Sequence, residues 1–138
     1  MMKREIFFRG KNKYGKWYYG YYTEGYYLDG TPVSWIEVVD RKKKYTESPT
    51  VIPDTVGQFT GRVDKNGKRI FEGDVCRFYG TDGYADYVVF WDDTASQWTV
   101  RQIDLGAKDV LDSYFAECCE IIGNIHDNPE LLGGVGGG

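Results

Sequence analysis

The residues that decide the fold run from Val51 to Val75, VIPDTVGQFTGRVDKNGKRIFEGDV. Two short apolar runs flank Asp64-Lys65-Asn66-Gly67-Lys68, and Asn-Gly is the pair best able to take the φ > 0 conformations of a two-residue hairpin turn. Glu72-Gly73-Asp74 supplies a second turn signal before Val75-Cys76-Arg77-Phe78. The stretch predicts a small antiparallel β protein.

Just upstream, Pro49 and Pro53 bracket Thr50-Val51-Ile52, which the prolines push into an extended conformation. Asp54 to Phe59 reads as a single helical or 3-10 turn. Gly57-Gln58-Phe59-Thr60-Gly61 has the outline of a phosphate-cradling loop, but it lacks the Gly-Lys-Ser/Thr ending and a long following helix. Glycines there let strands turn, and Thr55 or Asp54 caps a turn.

Towards the N-terminus, Glu5 to Gly10 reads as a first strand, Lys11 to Lys16 as a polar turn and Trp17 to Tyr22 as the partner strand. Strand alternation puts Trp17, Tyr19 and Tyr21 on one face and Tyr18, Gly20 and Tyr22 on the other, so one ring set is core and the other needs cover. Tyr26-Tyr27-Leu28, a turn at Asp29 to Pro32 and a strand from Val33 to Val39 follow. The basic run Asp40 to Lys44 reads as a solvated loop, with direct DNA binding through Arg41 to Lys44 as the alternative.

Downstream, Tyr79 to Gly83 reads as loop, and Tyr87 to Trp91 with Gln97 to Arg101 as a hairpin closed at Asp92 to Ser96. Asp109 to Cys119 carries approximately helical spacing, in competition with a loop that enters a last strand near Cys118 to Ile125. On that strand Cys118 and Cys119 would point to opposite sides. Asp127 to Leu132 suits a short terminal helix, with Pro129 in its first turn. The glycine-rich end, 133–138, reads as a flexible tail.

Composition narrows the chemistry. The formal charge of −4 argues against a general nucleic-acid binder. One histidine and three cysteines, Cys76, Cys118 and Cys119, leave no zinc spacing, no nucleophile–base–orienter set and no evident disulfide framework. The carboxylate pairs Asp92-Asp93 and Glu72 with Asp74 sit on turn signals, where backbone geometry accounts for them. No cofactor, metal or catalytic residue is expected. No apolar run reaches the roughly 20 residues of a membrane span, and no signal core is present, which predicts a protein of a reduced bacterial cytoplasm.

Several blocks in colinear order resemble the YopX family of phage and prophage proteins. They are Arg4 to Lys11, Trp17 to Gly20, Val51 to Gly61, Asp64 to Lys68, Phe71 to Val75, and Ile122 to Leu132. The resemblance implies phage or prophage origin and a small SH3-like antiparallel barrel in the C-terminal part. It carries no enzymatic activity over to this chain. The expected organisation is an N-terminal hairpin region at 1–50, a barrel region at 51–132 sharing one core with it, and the tail at 133–138.

Binding is the class that survives. Aromatic residues make up 17% of the chain, twelve of them tyrosines, so rings either fill a core or present a surface. Arg9, Lys16, Trp17, Tyr19, Tyr21, Tyr26, Tyr27, Trp35, Gln58 and Trp91 are the candidate binding residues, since rings beside cations suit protein hot spots and bases alike. The expected partner is a host protein blocked stoichiometrically in counter-defence. A nucleotide-derived immune signal held by a sponge is the alternative, with nucleic acid below both. A homo-oligomer is expected to present the site.

Overall fold

The computed structural model describes residues 4–38, 42 and 46–133. The chain divides into two compact units between Phe59 and Thr60.

In the first unit, β1 (Phe8–Lys11) and β2 (Trp17–Tyr26) form the N-terminal hairpin, with Phe8 opposite Gly20 and Lys11 opposite Trp17. Asn12 closes the turn, because its Oδ1 accepts from the backbone N–H of Tyr14 at 3.0 Å and of Lys16 at 2.9 Å. β3 (Pro32–Val38) pairs along β2 from Gly20 with Val38 to Tyr26 with Pro32. Its outer edge is met by the following segment, where Pro49 and Glu47 carbonyls accept from Ile36 and Val38, and Val51 N–H donates to Ser34. Val39, most of the basic run (Asp40, Arg41, Lys43 and Lys44) and the tail beyond Gly133 lie outside the described residues.

One face of this three-stranded ribbon is the core side. Ile36 is fully buried there, Ser34 nearly so, and Val51 packs so closely on Gly10 that a Cβ at Gly10 would lie 2.9 Å from its methyl. Gly20 is required for a similar reason: a Cβ there would collide with the Glu37 carbonyl. A 3-10 turn, Pro53–Thr55, then precedes β4 (Gly57–Val63), whose first residues pair with β1. The turn is shorter than the sequence suggested because the chain enters the strand at Gly57. Thr55 anchors it, its Oγ1 accepting from Lys11 N–H at 2.9 Å and donating to the Ile52 carbonyl at 2.6 Å.

The second unit contains the end of β4, then β5 (Arg69–Phe71), β6 (Asp74–Gly80), β7 (Gly83–Asp92), β8 (Gln97–Gln102), β9 (Lys108–Val110), α1 (Ser113–Cys118) and β10 (Cys119–Asn124). Pro129–Leu132 forms a 3-10 turn with its proline at the start. The core gathers Ile70, Cys76, Val89, Val100, Leu111, Phe115, Ala116 and Cys119. Phe78 stacks on Phe115 at 5.1 Å, and Tyr87 meets Phe115 edge-on at 5.1 Å.

The Asn-Gly turn exists with a different geometry from the one its sequence suggests. Gly67 has φ 79°, whereas Asn66 keeps a negative φ. Gly67 N–H donates to the Asp64 carbonyl and Asp64 N–H to the Lys68 carbonyl. That is a turn followed by a left-handed glycine, the three-residue hairpin form rather than the two-residue one. Asp64 imposes it, because its Oδ1 accepts from both Asn66 and Lys68 N–H at 2.9 Å.

Other expectations are also corrected. The predicted loop at Tyr79 to Gly83 shrinks to a turn, since β6 runs to Gly80 and β7 starts at Gly83. Cys118 ends α1 while Cys119 opens β10, so the two do not share a strand. Most importantly, the described strands form two open antiparallel sheets, ordered β3-β2-β1-β4-β5 and β10-β6-β7-β8-β9, and no closed barrel. In the second sheet β9 and β10 end the order without pairing, because the chain leaves β9 for α1 and returns to pair with β6.

Candidate functional site

Register decides which candidate residues meet. Arg9 lies opposite Tyr19, Lys11 opposite Trp17, Tyr21 opposite Glu37 and Thr23 opposite Trp35. Paired residues share a face and alternate ones along a strand do too. Arg9, Trp17, Tyr19, Tyr21 and Trp35 therefore occupy one face of β1, β2 and β3, opposite to the face that buries Ile36.

The rings on that face remain accessible: Tyr19 is 42% and Tyr21 53% exposed, and Trp17 and Trp35 are half-buried. Arg9 is buried, with its guanidinium carbon 4.8 Å from the Trp17 ring centroid. Phe7 stacks beside Tyr19 at 6.5 Å with an interplanar angle of 16°. Trp35 lies across Gly25, its ring atoms 3.2–3.3 Å from where a Cβ would stand. The result is a ring surface with a fixed cation beneath it, rigid because it is built on paired strands rather than loops.

The sequence reading missed Lys11 and Phe7. Lys11 Nζ lies 5.8 Å from the Trp17 centroid. Both follow from two-residue alternation about Arg9, the signal that would have found them.

The remaining candidates lie elsewhere. Lys16 stands 5.0 Å over Tyr18, whose register puts it on the other face. Gln58 pairs with Phe8, again on the other face. Tyr26 takes that face at the far end of the hairpin, and Tyr27 enters the turn, where its N–H donates to Thr31 and its carbonyl accepts from Gly30. There Leu28 is fully exposed, Tyr26 78% and Tyr27 54% exposed. Trp91 belongs to the second unit, where it meets Trp98 edge-on at 5.1 Å.

The second unit carries its own ring and cation pairs. Arg77 is held by Asp86 through two contacts of 2.9 and 3.1 Å and lies 4.0 Å over the Tyr84 ring. Its hydrogen bonds to Asp86 push the guanidinium pKa further up. Tyr79 donates to Glu120 at 2.9 Å, which raises its phenol pKa. An open cleft of about 320 Å³ at the β6–β7 turn is lined by Phe78, Thr81, Asp82 and Tyr84 among others, with no cation in its lining. Cys76 is buried, and its hydrogen bond to Cys119, followed by burial, pushes its thiol well above the usual range.

Among the described residues no group of three or more His, Cys, Asp or Glu could hold a metal ion, and no helix is long and apolar enough to cross a membrane. Fold and surfaces together define a mainly β protein of two open antiparallel sheets that displays aromatic rings beside cations. The YopX protein family matches residues 7–133, nearly the whole chain, and the chain belongs to that family. In fold it is similar to the crystal structure of protein EF1440 from Enterococcus faecalis, with 20% identity and a TM-score of 0.59, covering 95% of this chain and 100% of that one. No curated protein matches the chain.

Proposed function

We propose that this protein is a non-enzymatic phage or prophage accessory protein that acts by stoichiometric binding to a host protein, in counter-defence. The observation that carries this reading is the face of Arg9, Trp17, Tyr19, Tyr21 and Trp35. Rigid, partly exposed tyrosines and tryptophans over a buried arginine have the composition of a protein hot spot. The exposed Tyr26-Tyr27-Leu28 tip offers apolar contact on the same hairpin. A site on strands also suits binding better than turnover, since none of its residues forms a nucleophile–base pair. The origin rests on family membership. In the second unit, a meander from β6 to β9, a short helix and a last strand returning beside β6 support the SH3-like reading in an open form.

Native mass spectrometry of the protein purified from phage-infected host cells tests the reading, beside a Tyr19→Ala, Tyr21→Ala variant. A host polypeptide retained in fixed ratio by the parent and lost by the variant is the expected result. Retention of a small phosphorylated molecule instead would replace it with the sponge reading. A homo-oligomer abolished by the same two substitutions would assign the face to self-association.

A further inference from the structure

Two cations of the second sheet lie side by side without a carboxylate between them. Arg101 in β8 and Lys108 in β9 stand directly opposite each other, and both are exposed. Like charges placed directly across a strand pair destabilise it. Among the described residues neither meets a carboxylate at ion-pair distance. Elsewhere on the same face the cation Arg77 is neutralised by Asp86 at 2.9 Å. The nearest carboxylate further along that face of β7, Asp92, is turned into its own hairpin, accepting from Thr94 and Ala95 N–H.

What the two cations do share is a ring. Phe90 lies opposite Thr99 and so on their face, with Arg101 Cζ 6.0 Å and Lys108 Nζ 5.7 Å from its centroid. Phe90 is half-buried on β7, the central strand of the sheet, which leaves part of its ring accessible on that face. A planar fork and a point charge, each within 6.0 Å of one aromatic ring, match a phosphate joined to a base.

We propose that Arg101, Lys108 and Phe90 form a binding site for a phosphorylated nucleotide, the cations on phosphate oxygens and the ring against the base. An anion between the cations removes the repulsion between them. The site is independent of the aromatic face of the first unit. It is also local: in a chain of net charge −4, affinity for phosphate comes from this pair and not from the overall field.

Fluorescence anisotropy with a short fluorescein-labelled oligothymidylate tests the proposal on the full chain, with unlabelled ATP, oligothymidylate and pyrophosphate as competitors. The parent should bind, with log K falling against log salt at a slope of about −1.4, as two phosphate contacts on a single strand require. Arg101→Gln with Lys108→Gln should weaken binding about 10-fold or more and flatten that slope, the loss of two charge-assisted contacts. Phe90→Leu should weaken binding while keeping the slope, and Lys13→Gln, in the first unit's turn, should change nothing. Displacement by ATP assigns a free nucleotide as ligand, and displacement by the oligonucleotide alone assigns a single strand; either supports the site. Pyrophosphate competing as well as ATP would overturn the nucleotide assignment. Absent binding by the parent, or equal binding by the double variant, would overturn the site itself. Because relief of the repulsion offsets the two cation–ring contacts that are lost, the double variant should melt no lower than the parent. A lower Tm with unchanged binding would make the two residues structural and end the proposal.

Discussion

Asp64 shows how much one buried carboxylate can organise. It is 4% exposed, and its two oxygens accept from three backbone N–H groups, those of Asn66, Lys68 and Ile121. The first two shape the turn, and the third, at 3.0 Å, ties it to β10 across 57 positions of sequence. Asp64→Ala leaves these donors without their acceptor and should cost about 2–3 kcal/mol in urea denaturation. Asp64→Asn keeps the acceptor for the turn but loses the charge, and should fall between alanine and the parent. An alanine variant within measurement error of the parent would show that water replaces all three bonds. Asn66-Gly67 announced a turn in the sequence, but the residue that selects its form was not legible there, because half of its role is set by a strand far along the chain.

At the scale of the element, α1 is the clearest case of tertiary context deciding between local alternatives. Six residues are too few for a stable isolated helix. Asp112 starts it, its Oδ1 accepting from Phe115 N–H at 2.8 Å, and Phe115 and Ala116 hold it by entering the core. The spacing over Asp109 to Cys119 suggested a helix, in competition with a loop entering a last strand near Cys118 to Ile125, and the structure contains a shorter helix, Ser113–Cys118, followed at once by the strand Cys119–Asn124. Asp112→Ala should cost about 1 kcal/mol, with Asp112→Asn close to the parent, in equilibrium denaturation. Loss of the same amount in both variants would mean that the cap contributes through its charge rather than its hydrogen bond. β2 has the opposite history: its alternation of rings was plain, yet which face is covered depends on Ile36 and Val51, neither of them on that strand. Five of the ten candidate residues consequently share a face, and the rest were proposed from residue type without register.

For the whole molecule, family membership was legible because short blocks recur in order along nearly the full chain, and mainly β structure because turn residues punctuate apolar runs. Closure into a barrel was not, since it depends on whether the end strands of a sheet meet, and no local pattern encodes that. The division between Phe59 and Thr60 leads to a further test. The second unit holds a continuous apolar core and the sheet β10-β6-β7-β8-β9 with its hydrogen-bond partners internal to it. At 79 residues, Thr60 to Gly138, it falls in the size range where single domains fold alone, though with little margin. The first unit is shorter and its buried apolar side chains are few, Ile36, Val51 and Phe59 among them. A fragment of residues 60–133 should therefore unfold cooperatively in urea at a lower midpoint than the full chain, while a fragment of residues 4–59 should show no cooperative transition. Near-ultraviolet circular dichroism from Trp91, Trp98 and the ring cluster around Phe115 would report whether native packing survives in the longer piece. If that signal is absent and the fragment binds a hydrophobic dye, the second unit's core needs the rest of the chain, and its self-sufficiency is refuted.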